Sequence, residues 1–138
     1  AAAEIGPALL ATADWLYRDW EGFDGRLYGA ESLGSESRLG GGLEYHPRGT
    51  GTSALLAYRL GLSRSTWPQR LGGEPVHETT VHAGTGFRLP GDKGRLDVAL
   101  EYTRAGDVGT NGYEESRWSV WVGLNGQEIW RRKSPRTR

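Results

Sequence analysis

The residues best equipped for chemistry are His77, Glu78 and His82, the carboxylates Asp97 and Glu101, and the run Gly84-Thr85-Gly86. A zinc-protease helix needs two His four apart so that both imidazoles meet one ion. His77 and His82 are five apart, and on a strand an odd separation sends them to opposite faces. Asp97 and Glu101 share a strand face, but at strand rise they lie about 13 Å apart, beyond either glycosidase geometry. Gly84-Thr85-Gly86 lacks the third Gly and the following helix of a dinucleotide loop. No Ser, His and Asp are spaced around a nucleophile elbow, and without Cys there is no thiolate metal site and no disulfide. The expectation is therefore no catalytic residue, no metal and no cofactor: the chain is not read as an enzyme. Lys plus Arg and Asp plus Glu both count 17 in 138 residues, so no net basic field recruits nucleic acid.

If these residues do no chemistry, their positions need another reason, and the elements that carry them supply one. Glycines, 22 in all, interrupt most helical patterns, each costing a helix about 1 kcal/mol against Ala. Alternation with period two recurs in six segments: 9–20, 38–46, 53–63, 76–89, 95–103 and from 117 onward. In each segment one face is apolar, carrying Trp15, Tyr17, Leu43, Tyr45, Leu56, Tyr58, Val81, Phe87, Val98, Leu100, Tyr102, Trp118 and Val120. The other carries Asp14, Arg18, Glu44, Arg59, Glu78, His82, Arg88, Arg95, Asp97, Glu101 and Arg117, and no Lys.

The connections alternate. Segments 21–37, 64–75 and 104–116 are long, whereas 47–52 and 90–93 are short and rich in Gly and Pro. Outer-membrane barrels join their strands this way, with tight periplasmic turns and longer extracellular loops. Aromatics near strand ends fit an interfacial girdle, and Arg suits a crowded lumen because its planar fork bridges carboxylates on neighbouring strands. Low average hydropathy does not oppose this, since half of each barrel strand faces a polar interior. The chain is thus expected to be one all-β domain over 1–138: an antiparallel transmembrane barrel, or part of one, of about six meandering strands. On this reading the charged set faces the lumen and the apolar set faces lipid.

The phrases Leu89-Pro90-Gly91-Asp92-Lys93-Gly94-Arg95-Leu96-Asp97-Val98-Ala99-Leu100-Glu101-Tyr102 and Val122-Gly123-Leu124-Asn125-Gly126-Gln127-Glu128-Ile129-Trp130 resemble the closing strands of bacterial outer-membrane barrels of the FadL/OmpP1-like type. The segment Arg104-Ala105-Gly106-Asp107 to Tyr113-Glu114-Glu115 between them adds to the likeness, which covers the C-terminal part of the chain. The resemblance implies a location in the bacterial outer membrane and passage or binding of small hydrophobic compounds. Such transporters are longer and carry an N-terminal plug with no counterpart here.

Single-chain bacterial barrels start at eight strands, and six would leave edges that lipid cannot satisfy. The expected partners are therefore the lipid bilayer and either another chain or missing N-terminal strands that complete the barrel. A chain with no Met that opens on Ala1-Ala2-Ala3 fits a piece of something larger. Two other functions compete: a non-catalytic structural subunit of an envelope assembly, and a soluble β-sandwich stacking a ligand on Trp20, Trp67 and Trp121. Asn125-Gly126 is a strong hairpin signal and favours the sandwich. The basic tail 131–138 suits anionic headgroups or simple solvation.

Overall fold

A computed structural model describes residues 1–20, 33–49, 51, 55–89 and 94–126. They form β1 (Ala2–Glu4), β2 (Leu9–Arg18), β3 (Glu36–Tyr45), β4 (Leu56–Leu71), β5 (Glu74–Arg88), β6 (Gly94–Asp107), one helical turn α1 (Val108–Asn111) and β7 (Tyr113–Gly126). All strands join a single antiparallel sheet in sequence order. The chain is all-β and meandering, as the alternation predicts. The sheet is not closed: among the described residues β1 pairs only with β2 and β7 only with β6. Among the described residues no second sheet covers either face.

Three expectations change. The strand count rises from six to seven because β1, only three residues long, is too short to show a period. The loop expected over 64–75 is strand: β4 runs to Leu71 and β5 starts at Glu74. Gly72 and Gly73 turn the chain between them at φ 62 and 84. That left-handed pair matches the twist of a two-residue hairpin and is open to Gly without steric cost. The loop expected over 104–116 shrinks to α1 and Gly112, with Asp107 capping α1 through Gly109 and Thr110 N–H groups. Strict alternation of loop lengths therefore does not hold. Polar strand extensions occupy what reads as long loop.

Asn125 and Gly126 pair with Arg95 and Gly94, so they sit at the end of β7. Residues 127–138, with the basic tail, lie outside the described residues, as do 21–32 of the first loop and 52–54 and 90–93 of the short turns.

Candidate functional site: a charged trough on an inside-out sheet

Register assigns every strand residue to a face. One row runs Ala11, Leu43, Leu60, Ala83, Leu100, Val120 across six strands. The next runs Ala13, Gly41, Leu62, Val81, Tyr102, Trp118. All thirteen residues expected on the apolar side share this face. The eleven expected on the charged side share the other, as in the row Thr12, Gly42, Gly61, His82, Glu101, Ser119. His77 and His82 fall on opposite faces and bring no metal-binding group together; among the described residues there is none.

Burial is inverted relative to a water-soluble sheet. Among the described residues nineteen large apolar side chains are exposed, and sixteen of them lie on the apolar face, the exceptions being Ile5, Val108 and Trp121. Val120, Val122 and Leu124 are 68–72% exposed. The four side chains buried among the described residues, Ala57, Val76, Thr103 and Ala105, all lie on the charged face. Water would penalise such a surface by roughly 25 cal/mol for each Å² of apolar area left uncovered.

The charged face is concave. Arg59 on β4 reaches across β5 to Asp97 on β6, Nη1 to Oδ1 2.8 Å. A cavity of about 420 Å³ is lined by Arg38 of β3 and by Arg117 and Trp121 of β7. In a flat sheet those strands would stand about 19 Å apart, four spacings of about 4.8 Å, so the sheet must curl to bring them around one space. Glycine permits the curl. Gly40, Gly42, Gly61, Gly84, Gly86 and Gly123 all face the trough. A Cβ on Gly61 would overlap the His82 ring, and one on Gly86 would overlap the Arg95 guanidinium and the Asp97 carboxylate.

Two clusters occupy the trough. Toward the short-turn end a chain of charges runs His46, Glu44, Arg59, Asp97, Arg95. Its links are 2.6 Å (His46 Nε2 to Glu44 Oε1), 2.5 Å (Arg59 Nε to Glu44 Oε2), 2.8 Å (Arg59 to Asp97) and 2.8 Å (Arg95 Nε to Asp97 Oδ1). It ties β3, β4 and β6 together, and Arg95 Nη2 remains buried without a hydrogen-bond partner. The second cluster is the cavity, where Glu78, His82 and Glu101 sit between Arg38 and Arg117. Thr80 and Thr103 share a hydrogen bond of 3.0 Å there.

At the other end of the trough Trp67 of β4 meets Tyr113 of β7, ring centroids 6.0 Å apart. Asn111 Nδ2 donates to the Pro75 carbonyl at 3.4 Å, and nearby Val76 is wholly buried. Sequence reasoning placed Trp67 and Tyr113 in outward loops and missed this pairing; the Gly72-Gly73 hairpin signal was the available clue. Arg18 sits at the edge of the trough, 3.6 Å from Glu36. Asp14 lies over Gly40, and Arg88 pairs in register with Arg95. Trp20 is half-buried and donates Nε1–H to Glu36 at 3.2 Å, whereas Trp121 is exposed within the trough.

What the arrangement can do follows from its chemistry. It offers fixed charges of both signs, hydroxyls and one aromatic face to a polar solute. Comparison of the chain with protein-family models, with curated proteins and with solved structures finds no match.

Proposed function

We propose that the chain is a membrane-embedded segment of a bacterial outer-membrane barrel whose trough lines a passage or binding site for small compounds, without catalytic activity. The observation that carries this is the inverted sheet: large apolar side chains are exposed on one face, and the few buried residues lie among charges on the other. A lipid bilayer is the environment in which that distribution is favourable. The outward apolar stretch spans seven residues on β6 (Leu96 to Tyr102) and nine on β2 (Leu9 to Tyr17). That is about 24–31 Å along the strands, or about 18–23 Å along a membrane normal tilted about 40° from them, suited to a thin outer membrane.

Further strands, from another chain or from the same polypeptide, would pair with the free edges of β7 and of β1 and β2. Open edges cannot be satisfied by hydrocarbon. The FadL-like resemblance supports transport, but the trough's lining favours a polar or dipolar solute over the hydrophobic cargo it implies. Among the described residues the large apolar groups on that face are spread thinly along it, at Leu10, Leu16, Val76 and Trp121, with the Trp67–Tyr113 pair at its hairpin end.

The test is reconstitution. The chain should require detergent, migrate on gels in a heat-modifiable way, and make vesicles permeable to small polar solutes. A chain freely soluble as a monomer without detergent would sink the membrane reading. Stable insertion without permeation would favour a structural role in a larger envelope assembly, for which the unpaired fourteen-residue β7 edge is the supporting observation.

A further inference from the structure

The apolar face ends differently at its two ends. Toward the short turns its last row is Leu56, Phe87, Leu96, Leu124, and among the described residues no charged side chain follows on that face. Toward the β4–β5 hairpin, the row after Leu62, Val81, Tyr102 and Trp118 is Trp15, Leu39, Arg64, Thr79, Arg104, Ser116, so the apolar band gives way on β4 to β7 while it continues on β2 and β3. Arg64 and Arg104 therefore stand on β4 and β6 either side of Thr79, about 10 Å apart at two strand spacings. Both are exposed, and both point the same way as the apolar side chains beneath them. Arg64 has no acidic partner among the described residues, while Arg104 shares its charge with Glu114 at 3.1 Å. Below them Tyr102 packs on Trp118 at 4.7 Å and sends its hydroxyl toward this row, donating to Ser116 at 3.3 Å. Apolar side chains, then amphipathic rings, then guanidinium groups, one of them without an acidic partner, is the order in which a membrane turns from hydrocarbon to phosphate.

We propose that Arg64 and Arg104 form a docking site for the phosphate of a lipid headgroup at the hairpin-side boundary of the apolar band. The site rests on the membrane reading above and names the lipid chemistry that reading leaves open. Guanidinium groups suit it because their donor fork matches phosphate oxygens. Glu114 tunes it by holding part of Arg104's charge.

The full chain is reconstituted in phosphatidylcholine vesicles, and its tryptophan fluorescence is titrated with brominated phosphatidic acid or brominated phosphatidylcholine. Trp15 and Trp118, exposed on the apolar face, report lipid contact. We expect phosphatidic acid to be preferred roughly five- to tenfold, since a cation at the surface contributes about fivefold. Arg64→Gln should remove most of that preference, and R64Q/R104Q should remove all of it. Arg64→Lys should keep it, and Glu114→Gln should raise it. Quenching by both lipids with no preference, or a preference unchanged in R64Q/R104Q, overturns the site while leaving the membrane reading intact. Binding of inorganic phosphate to the chain in detergent that is lost in R64Q/R104Q, together with no preference between the two lipids, overturns it in favour of a free-phosphate site. Quenching by neither lipid overturns the membrane reading itself.

Discussion

Glycine and its neighbours decide how tightly this sheet can curl. Gly61 and Gly106 make opposite demands. At Gly61 an added Cβ meets the His82 ring, which can swing into the open trough. At Gly106 it would meet the Tyr113 backbone carbonyl, and φ is +77, a left-handed conformation that L side chains resist. We expect Gly61→Ala to cost about 1 kcal/mol or slightly more, the low end of overpacking. Truncating the ring in G61A/H82A should recover part of that. Gly106→Ala should cost roughly 1–2 kcal/mol further for the left-handed conformation, and no side-chain truncation should rescue it. Urea unfolding followed by tryptophan fluorescence in detergent gives both values. Equal costs would mean that the ring over Gly61 is as immovable as backbone.

On the proposed membrane placement a strand has two faces in two solvents, so equal substitutions on its two faces should have unequal effects. Arg placed at Val98 or Leu100 should oppose insertion by about 2–4 kcal/mol at the middle of a bilayer. Arg at Ser63, on the trough side with the cavity before it, should leave assembly within roughly 0.5 kcal/mol of the parent, as at an exposed site. Heat-modifiable gel migration after refolding into vesicles distinguishes the two. Indifference at Val98 and Leu100 would mean the apolar face is covered by something other than lipid.

The same two-sidedness explains what was legible in the sequence. Val98, Leu100 and Tyr102 alternate with Asp97, Glu101 and Thr103, so β6 and its faces could be read from period alone. Past Leu62 the outward positions of β4 become Arg64 and Thr66 opposite Ser65, the apolar beat stops, and strand looks like loop. The Arg59–Asp97 bridge was not legible at all. It skips a strand and passes over Gly84 and Gly86 of β5, a long-range pairing that no local pattern encodes.

For the molecule as a whole the open question is the β7 edge, whose amides alternate between β6 and the outside. Hydrogen exchange of the chain dispersed singly in detergent should show alternating fast and slow amides along β7, with β4 to β6 uniformly slow. In vesicles we expect uniform protection of β7, because hydrocarbon cannot hydrogen-bond an exposed edge. Alternation persisting in vesicles would place that edge in water. The inverted burial described above also reverses a familiar rule of tolerance. In an ordinary domain the interior is choosy about shape and the surface forgiving. On the proposed membrane placement a fluid, shapeless solvent meets the apolar face, so any greasy side chain of any size should serve at Val120 or Val122. The charged side, crowded over bare backbone at Gly61 and Gly86, is where one extra carbon is felt. A library selected for assembly would therefore record hydrophobicity on one face and volume on the other, and the boundary between those two records would trace the plane of the sheet.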